Sequence, residues 1–234
     1  MIRLSKRLKI IHDMVPKSVV ADIGSDHGKL MIALVQSGTV QKGFAVENKE
    51  GPFERLRSNL IRYHVNDKIT PLFSDGIKDI TRDVSTIVIA GMGGQTIGKI
   101  LKEHPEKLVS VQTIIIDAHT SVPFARKEIC QMGFAIADEQ IVKEDDIFYE
   151  IIKFVKAEKA IISDEDLEFG PILRQQKSAT FKEKYKNRIF EIEAILAKGT
   201  LPKGRIHSLN EEKKSWRDTY ENKTLTPSIS NTLS

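Results

Sequence analysis

The sequence has a single cysteine among 234 residues and no long apolar run. One cysteine excludes a disulfide framework and a zinc site made from several cysteines of one chain. Cys130, between Ile129 and Met132, is expected to be a buried free thiol. The apolar runs fall far below the ~20 residues of a transmembrane helix, and the basic N-terminal stretch MIRLSKRLKIIHDMV (1–15) predicts an amphipathic helix rather than a signal peptide. We therefore expect a cytoplasmic protein.

Positive charge is concentrated at the two ends of the chain. The net charge is +4, and from Pro171 onward there are 13 Lys and Arg against 7 Asp and Glu, so the rest of the chain is slightly acidic. A second basic cluster opens the chain and consists of Arg3, Lys6, Arg7 and Lys9. This distribution suggests an anionic macromolecule as partner. Lysines that only keep a helical appendage soluble would give the same pattern.

Short apolar runs alternate with helical patterns over the first half of the chain. Ser5 can cap a first helix that ends before Pro16. Strands are predicted at 19–23, 44–47, 69–73, 85–90 and 112–117, and two stretches on either side of Asp145-Asp146 predict a β-hairpin. Alternation of this kind indicates an α/β fold with a parallel sheet covered by helices on both faces. The closing hairpin matches the seven-stranded sheet of class I methyltransferases, whose last strand inserts antiparallel.

The pattern changes after about residue 160. The stretch ISDEDLEFGP (162–171) is predicted to be a loop, and helices are predicted at 172–198 and 206–220, joined by the turn signals of KGTLPKG. We predict a Rossmann-like domain over 1–160 and a helical hairpin, similar to a coiled coil, over 161–234. The polar C-terminal tail, TLTPSISNTLS, is predicted to be disordered.

The first predicted strand runs into a glycine-rich turn, DIGSDHG (22–28). In open α/β sheets, ligands bind outside the carboxyl ends of the strands. Dinucleotide folds place G-x-G-x-x-G there so that a pyrophosphate can approach a helix N-terminus. Here Asp26 stands at the middle glycine, and a carboxylate is electrostatically unfavourable beside a pyrophosphate. Backbone amides combined with acidic groups suit a ligand with a carboxylate, an ammonium and a sulfonium, such as S-adenosylmethionine.

Three further strand ends carry matching residues. Glu47 ends the second strand and is placed to hold ribose hydroxyls, and Asp75 after the third strand can accept a hydrogen bond from an adenine amino group. The fourth strand ends in IAGMGG (89–94), which would let the backbone approach the cofactor closely, with Met92 against the base. Together these features favour a methyltransferase over a dehydrogenase. No other pair of His or carboxylate residues has metal-ligand spacing, so we expect no metal.

Four polar residues near strand ends leave a structural alternative open. Asp26 and His27 could cap the helix that follows them, and Asp117 and His119 at the end of the fifth strand could be caps or could contact substrate.

In their order along the chain, these motifs resemble the bacterial tRNA (adenine-22-N1)-methyltransferases, the TrmK family. The matching stretches are LSKRL (4–8), ADIGSDH (21–27), Glu47 followed by EGPF (50–53), SDGI (74–77), IAGMGG (89–94), FYE (148–150) and FGP (169–171). The resemblance implies a Rossmann-like catalytic domain with a C-terminal helical domain, and S-adenosyl-L-methionine-dependent methylation of N1 of adenine 22 in tRNA. The cofactor-binding residues that it implies are Asp22, Gly24, Ser25, Asp26, His27, Glu47, Asn48, Pro52, Asp75, Gly76, Ala90, Gly91, Met92 and Gly93.

Two stretches depart from the family pattern. The first motif usually continues as H-A-Y-L-P, where this chain has HGKLM (27–31), and the fifth strand usually ends in L-Q-P-N, where this chain has IIDAHT (115–120). Both lie near the place where a target base would enter.

Adenine N1 has an in-plane lone pair, so the enzyme mainly has to align it with the bond between methyl group and sulfur. A carboxylate near the exocyclic amine could stabilise the positive charge of the product. Asp26 is our first catalytic candidate and His119 the second. We expect a monomer that grips tRNA phosphates with its basic N-terminal helix and C-terminal hairpin. The alternatives are a methyltransferase for another RNA or a small molecule, a nicotinamide-dependent oxidoreductase and a non-catalytic RNA-binding module.

Overall fold

The computed structural model describes residues 2–157, 162–199 and 201–221, and its central feature is a mixed sheet. In chain order the strands are β1 (Val20–Ile23), β2 (Gly43–Glu47), β3 (Ile69–Phe73), β4 (Thr86–Met92), β5 (Thr113–Ala118), β6 (Phe134–Glu144) and β7 (Ile147–Lys156). Within the described residues they form one seven-stranded sheet in the order β3-β2-β1-β4-β5-β7-β6. Strand β7 runs antiparallel to both of its neighbours, β5 and β6, and the other pairs are parallel. This arrangement confirms the predicted class I methyltransferase sheet.

Helices follow the strands and contribute to apolar clusters on both faces of the sheet. They are α1 (Lys6–Met14), α2 (Lys29–Gln36), α3 (Glu50–Arg62), α4 (Gly94–Glu103) and α5 (Val122–Gln131), with short 3₁₀ helices at Asp26–Gly28 and Pro105–Val109. Every residue of β5 is buried, as expected for a strand covered on both faces. The thiol of Cys130 is buried, which confirms its predicted place in the core. Among the described helices, none has the length and apolar character that crossing a membrane requires.

Helix α1 begins and ends as the sequence predicts. Ser5 is its N-cap, and the Ser5 side chain accepts a hydrogen bond from the backbone N–H of Leu8. The helix ends at Met14 because Val15 precedes a proline, which disfavours the helical conformation, and Val15 is extended.

The segment predicted as a loop, 162–171, contains a short helix, α6 (Asp164–Phe169). Ser163 caps it by accepting a hydrogen bond from the Asp166 N–H, and the first turn is acidic, which suits the positive end of the helix dipole. Gly170, with a φ of +77°, ends the helix. The loop prediction was wrong because a helix of six residues depends on its cap and on tertiary contacts, not on apolar periodicity.

The fully buried Arg126 on α5 joins this segment to the sheet. Its guanidinium lies 2.6 Å from Glu150 Oε2 and 2.8 Å from Glu139 Oε1, and it donates a hydrogen bond of 3.0 Å to the carbonyl of Leu167. A side chain at Gly170 would overlap with the Glu139 carboxylate and with the guanidinium. The stretches FYE (148–150) and FGP (169–171) therefore supply an acid and a glycine to one buried network.

The predicted helix over 172–198 is two helices, α7 (Pro171–Gln176) and α8 (Ala179–Ala197). The break occurs at Lys177, whose φ is +45°, and Ser178 then caps α8 by accepting a hydrogen bond from the Phe181 N–H. The last described helix, α9 (Lys203–Glu221), begins just after Pro202, three residues before the predicted start.

The chain divides into two compact units between Leu173 and Arg174. The predicted domain boundary at 160/161 falls within 158–161, and the predicted disordered tail within 222–234, and both lie outside the described residues.

In the second unit, α8 and α9 pack against each other. The rings of Tyr185 and Trp216 meet edge to face with centroids 5.2 Å apart, and Arg188 donates hydrogen bonds of 3.1 and 3.2 Å to Glu212. Because the later residue of α8 contacts the earlier residue of α9, the two helices run in opposite directions. A coiled-coil geometry for this pair stays a prediction.

Candidate active site

A cavity of about 190 Å³ lies at the carboxyl ends of β1, β2, β3 and β4. The chain order in the sheet reverses between β1 and β4, and open α/β sheets bind their ligands at such a point. Of the predicted site residues, those that line the cavity are Gly24, Glu47, Asn48, Asp75, Gly76 and Met92. The lining residues that were not predicted from the sequence are Ile23, Val46, Ser74, Thr96, Lys99, Ile100 and Glu103.

The glycine-rich turn after β1 is held onto β2 by its own backbone. The N–H groups of Gly24 and Ser25 both donate to the carbonyl of Val46, each at 2.9 Å, and the Asp26 N–H donates to the Gly24 carbonyl at 2.8 Å. The composition of this loop predicts that its amides meet a ligand carboxylate. In the structure these three amides stabilise the turn instead.

Asp22 lies beneath this turn and is buried. Its Oδ2 accepts a hydrogen bond of 2.5 Å from the Ser25 hydroxyl. Burial raises the pKa of Asp22 to about 6, and the hydrogen bond from Ser25 opposes that rise. A cationic group bound beside Asp22 would favour its ionised form.

The acids after β2 and β3 are fixed by hydrogen bonds to neighbouring residues. Glu47 is 7% exposed, and its Oε1 accepts from the N–H groups of Asn48 and Lys49 at 2.9 and 3.0 Å. The Asn48 side-chain amide donates to Asp75 Oδ1 at 3.0 Å, which joins the loops that follow the two strands. The cavity therefore carries two acids held in defined positions at adjacent strand ends.

The pairing of β4 with β5 becomes irregular at the glycine-rich end of β4. The register with β5 shifts between Ala90 and Met92, and the intervening Gly91 has a φ of +82°. A side chain at Gly94 would overlap with the backbone of Ser121. Because glycine has no side chain, α4 can start directly against the loop after β5.

Four of the missed lining residues lie along one face of α4. Thr96, Lys99, Ile100 and Glu103 have the spacing i, i+3, i+4 and i+7, which places them on one side of a helix. Their place in the cavity could have been predicted from this spacing, because α4 follows the IAGMGG stretch, which was already predicted to contact the cofactor.

The other predicted site residues are not among those that line the cavity. They are Asp22, Ser25, Asp26, His27, Pro52, Ala90, Gly91, Gly93 and His119.

The side chain of Asp26 is 60% exposed, and its Oδ1 lies 4.0 Å from Arg55 Nη2 and 3.5 Å from His27 Nε2. Helix α2 is capped by Gly28, which has no side chain, so neither Asp26 nor His27 is its cap. The capping alternative for these two residues is therefore wrong.

A second polar group lies at the end of β5. Asp117 is fully buried and forms an ion pair with Arg7 of α1. His119 Nε2 lies 3.7 Å from Asp117 Oδ2 and 3.5 Å from Arg7 Nη1. The ring of Tyr149 meets His119 edge to face, with centroids 5.3 Å apart, and the Arg7 guanidinium lies 5.1 Å from the centre of that ring. We name these four residues the Asp117 cluster.

Burial raises the pKa of Asp117, while Arg7, His119 and the Gly91 backbone oppose the rise. Neither Asp117 nor His119 caps α5, whose N-cap is Ser121. The two β5 residues could be identified from the sequence, but their partners on α1 and β7 could not. Within the described ranges, no group of three or more His, Cys, Asp or Glu side chains is arranged to hold a metal ion.

Comparison with known proteins agrees with this geometry. Residues 20–220 match the family model TrmK, tRNA (adenine(22)-N(1))-methyltransferase. The tRNA (adenine(22)-N(1))-methyltransferase of Bacillus subtilis (strain 168) is 28% identical over 201 residues, which cover 83% of this chain and 84% of that protein.

Two of the solved structures that are similar over nearly the whole chain contain a bound molecule. A Streptococcus pneumoniae protein in complex with S-adenosyl-L-methionine is 28% identical with a TM-score of 0.87, covering 94% of this chain and 100% of that one. M. capricolum TrmK in complex with S-adenosyl-homocysteine is 25% identical with a TM-score of 0.83, covering 93% and 98%. The chain therefore belongs to the TrmK family of tRNA (adenine(22)-N(1))-methyltransferases.

Proposed function

We propose that this protein transfers the methyl group of S-adenosyl-L-methionine to N1 of adenine 22 in tRNA. The observation that carries the proposal is the family match over residues 20–220, which includes the cavity-lining strand ends and the turn after β1. The complex of the Streptococcus pneumoniae relative supports the choice of cofactor.

The side chains around the cavity fit this cofactor chemically. Glu47 would hold the ribose hydroxyls, and Asp75, held by Asn48, would contact the adenine, with Met92 and Ile100 as apolar surfaces. Asp22 and Asp26 would provide negative charge near the ammonium and the sulfonium. When bound, the cofactor supplies an electrophilic methyl group. The residues that would complete its surroundings are Gly24, Ser25, His27, Pro52, Gly76, Ala90, Gly91 and Gly93.

Catalysis requires positioning more than proton removal, because the N1 lone pair is free to attack. Because the product base is cationic, its exocyclic amine becomes more acidic and a stronger hydrogen-bond donor during the reaction. Asp26 and His119 are the candidates to accept a hydrogen bond from this amine. Asp26 is well exposed to water, which weakens its electrostatic effect, whereas His119 lies in the partly buried Asp117 cluster.

The tRNA would be bound through exposed basic residues. On the N-terminal helix and the residue stretch before it, Arg3, Lys6 and Lys9 are exposed, whereas Arg7 pairs with Asp117 and is unavailable for a phosphate. The basic residues of α8 and α9 are the second candidate contact. We further propose that the enzyme is a monomer and that it acts on tRNA in the cytoplasm.

The test is a methylation assay with the full chain, labelled S-adenosyl-L-methionine and two tRNA transcripts that differ in having adenine or guanine at position 22. Methylation of N1 blocks the Watson–Crick edge, so reverse transcription should stop at position 22 of the first transcript. The guanine transcript should remain unlabelled.

Labelling of both transcripts equally would contradict the position, and labelling of neither would contradict the activity. Cofactor binding measured in parallel separates the alternatives. An RNA-binding module would bind tRNA without the cofactor, and an oxidoreductase would be stabilised by NAD in preference to S-adenosyl-L-methionine.

A further inference from the structure

An exposed aromatic side chain lies on the side of α8 opposite to its buried residues. Phe190 is 59% exposed. The buried residues of the same helix are Phe181, Tyr185 and Ile192, and Tyr185 meets Trp216 of α9 edge to face. At about 100° of rotation per residue, Phe190 lies about 140–180° around the helix axis from these three residues. The packing of α8 therefore does not require a phenylalanine at this position.

Lysines flank Phe190 along the same side of the helix. Lys182, Lys186 and Lys198 are exposed and are separated from Phe190 by multiples of four residues, so each lies within about 80° of it around the axis. The Lys186 Nζ atom lies 5.9 Å from the centre of the Phe190 ring, which is within the range of a cation–π contact. We name Phe190 and these three lysines the Phe190 face.

The acids of α8 leave this face positively charged. Glu191 pairs with Arg188 at 3.1 Å, and Glu193 pairs with Arg217 of α9 at 3.2 Å. The three lysines of the Phe190 face, in contrast, form no ion pair with any residue that the structure describes. Glu183 lies on the same side of the helix, so the face has three lysines against one acid whose charge is not balanced by a paired cation from α8 or α9.

An exposed ring between unpaired lysines matches the chemistry of a single-stranded nucleotide. Every base has a flat face that stacks on an aromatic ring, and the flanking phosphates are attracted to cations. Double-stranded RNA does not present such a base, whereas the loops of a folded RNA do. A second copy of this chain fits less well, because a symmetric contact through this face would bring the lysines of both copies together.

We propose that the Phe190 face binds an unpaired nucleotide of the tRNA substrate. Its base stacks on the Phe190 ring, and the flanking phosphates lie against Lys182 and Lys186. The inference rests on the proposed function, which supplies tRNA as the partner. It extends that function by assigning the contact to one side of α8 and by adding a stacking residue to the basic ones.

The salt dependence of tRNA binding separates stacking from phosphate contacts. Fluorescence titration uses the full chain and a tRNA transcript without cofactor, at several salt concentrations. Phe190→Ala should lower the affinity by about 5- to 100-fold and leave the slope of log affinity against log salt unchanged, because the ring carries no charge. Lys182→Gln with Lys186→Gln should lower that slope by about 0.7–0.9 for each lost phosphate contact. Wild-type affinity of Phe190→Ala would overturn the proposal.

Three further variants test whether the ring itself is required. Phe190→Tyr keeps an aromatic face and should bind like wild type, whereas Phe190→Leu keeps apolar surface without a ring and should bind clearly more weakly. Ile61→Ala is the matched control, because Ile61 has the same exposed fraction as Phe190 but belongs to the other compact unit. It should bind tRNA like wild type. Equal affinities of Phe190→Leu and wild type would exclude stacking.

Two measurements distinguish failure of this inference from failure of the proposed function. Binding is measured without S-adenosyl-L-methionine, so a wild-type protein that binds tRNA through Phe190 but does not methylate it would refute the proposed function and leave the nucleotide contact intact. An active enzyme whose tRNA affinity does not change in Phe190→Ala would refute the contact alone. Sedimentation velocity provides the second measurement, since a dimer that Phe190→Ala dissociates would show that a second copy occupies the face and would overturn the proposal.

Discussion

The side-chain methyl group of Met92 occupies the space that a side chain at Gly24 would need. The two residues lie at the ends of the neighbouring strands β4 and β1, and both line the cavity. Gly24 also has a φ of +76°, which other residues rarely adopt. Met92 therefore packs directly against the backbone of the first loop at Gly24.

Replacing Gly24 by Ala should displace Met92 and weaken cofactor binding. Two effects combine, since the added Cβ meets Met92 and the left-handed backbone costs about 1–2 kcal/mol for an L-residue. Calorimetric titration with S-adenosyl-L-methionine should show the loss. In the double variant Gly24→Ala with Met92→Ala, the loss of cofactor affinity that is due to steric overlap should be recovered. The loss that is due to the strained backbone should remain. A double variant no better than Gly24→Ala would show that the overlap with Met92 is unimportant.

Glu47→Gln should reduce cofactor affinity by about 10- to 100-fold, which corresponds to about 1.5–3 kcal/mol for a hydrogen bond to a charged group. Glutamine keeps a carbonyl oxygen for the N–H groups of Asn48 and Lys49, so the turn should survive and the melting temperature should change little. The control is Glu54→Gln, which removes an exposed acid of α3 paired with Arg57. Equal affinities of the Glu47 and Glu54 variants would exclude Glu47 from the binding site.

The stability of the protein should depend on pH through Asp22. Its pKa is about 6 in the folded state, against an ordinary value of 3.8 for an aspartate, so the folded state favours the protonated acid. The contribution of protonated Asp22 is fully present below about pH 4 and is lost as pH rises through about 6. The free energy of unfolding of wild type relative to Asp22→Asn should therefore fall between these pH values, by up to about 3 kcal/mol. Urea titrations at several pH values measure the difference, and a difference independent of pH would contradict the shift.

Cofactor binding should show the opposite trend. A cationic ligand favours ionised Asp22, so wild-type affinity for S-adenosyl-L-methionine should increase as pH rises from about 5 to about 7. Calorimetry in buffers of different ionisation enthalpy should detect release of a proton near pH 6. Binding without proton release would place the cationic groups away from Asp22.

Arg126→Met should destabilise the protein by about 3–5 kcal/mol, because it removes the buried guanidinium that pairs with the buried carboxylates of Glu139 and Glu150. Burial already raises the pKa of Glu139, so part of the cost should be relieved at low pH by its protonation. Arg57→Met, which breaks an exposed pair with Glu54, should cost no more than about 1 kcal/mol. Denaturant unfolding compares the two variants, and similar losses would mean that the buried network contributes little.

Neutralising Lys6 and Lys9 should weaken tRNA binding and reduce its salt dependence. Each lost phosphate contact should lower the slope of log affinity against log salt by about 0.7–0.9. Filter binding or fluorescence titration at several salt concentrations gives the slope for wild type and for Lys6→Gln with Lys9→Gln. An unchanged slope would exclude this helix from the tRNA interface, and unchanged cofactor affinity is the control for folding.

The sequence alone determined the sheet and its ligand-binding edge. In an α/β chain, runs such as TIVIA and TIIID form buried parallel strands. The glycines and acids that follow these runs come together because the carboxyl ends of parallel strands lie at one edge of the sheet. For this reason Gly24, Glu47, Asp75 and Met92 could be identified as neighbours from their positions along the chain. Local chemistry likewise determined the Ser5 cap and the end of α1 before Pro16.

Tertiary structure decided which polar groups face one another. Arg7 and Asp117 are 110 positions apart, and no periodicity relates α1 to the end of β5, so the predicted phosphate-binding arginine proved to be the partner of a buried acid. The amides of the first loop were also predicted to face a ligand, but those of Gly24 and Ser25 bind the Val46 carbonyl instead, because their direction depends on how the turn packs against β2. The sequence indicates which polar and charged groups need a partner when they are buried. Only the packing of distant elements decides which partner is within reach.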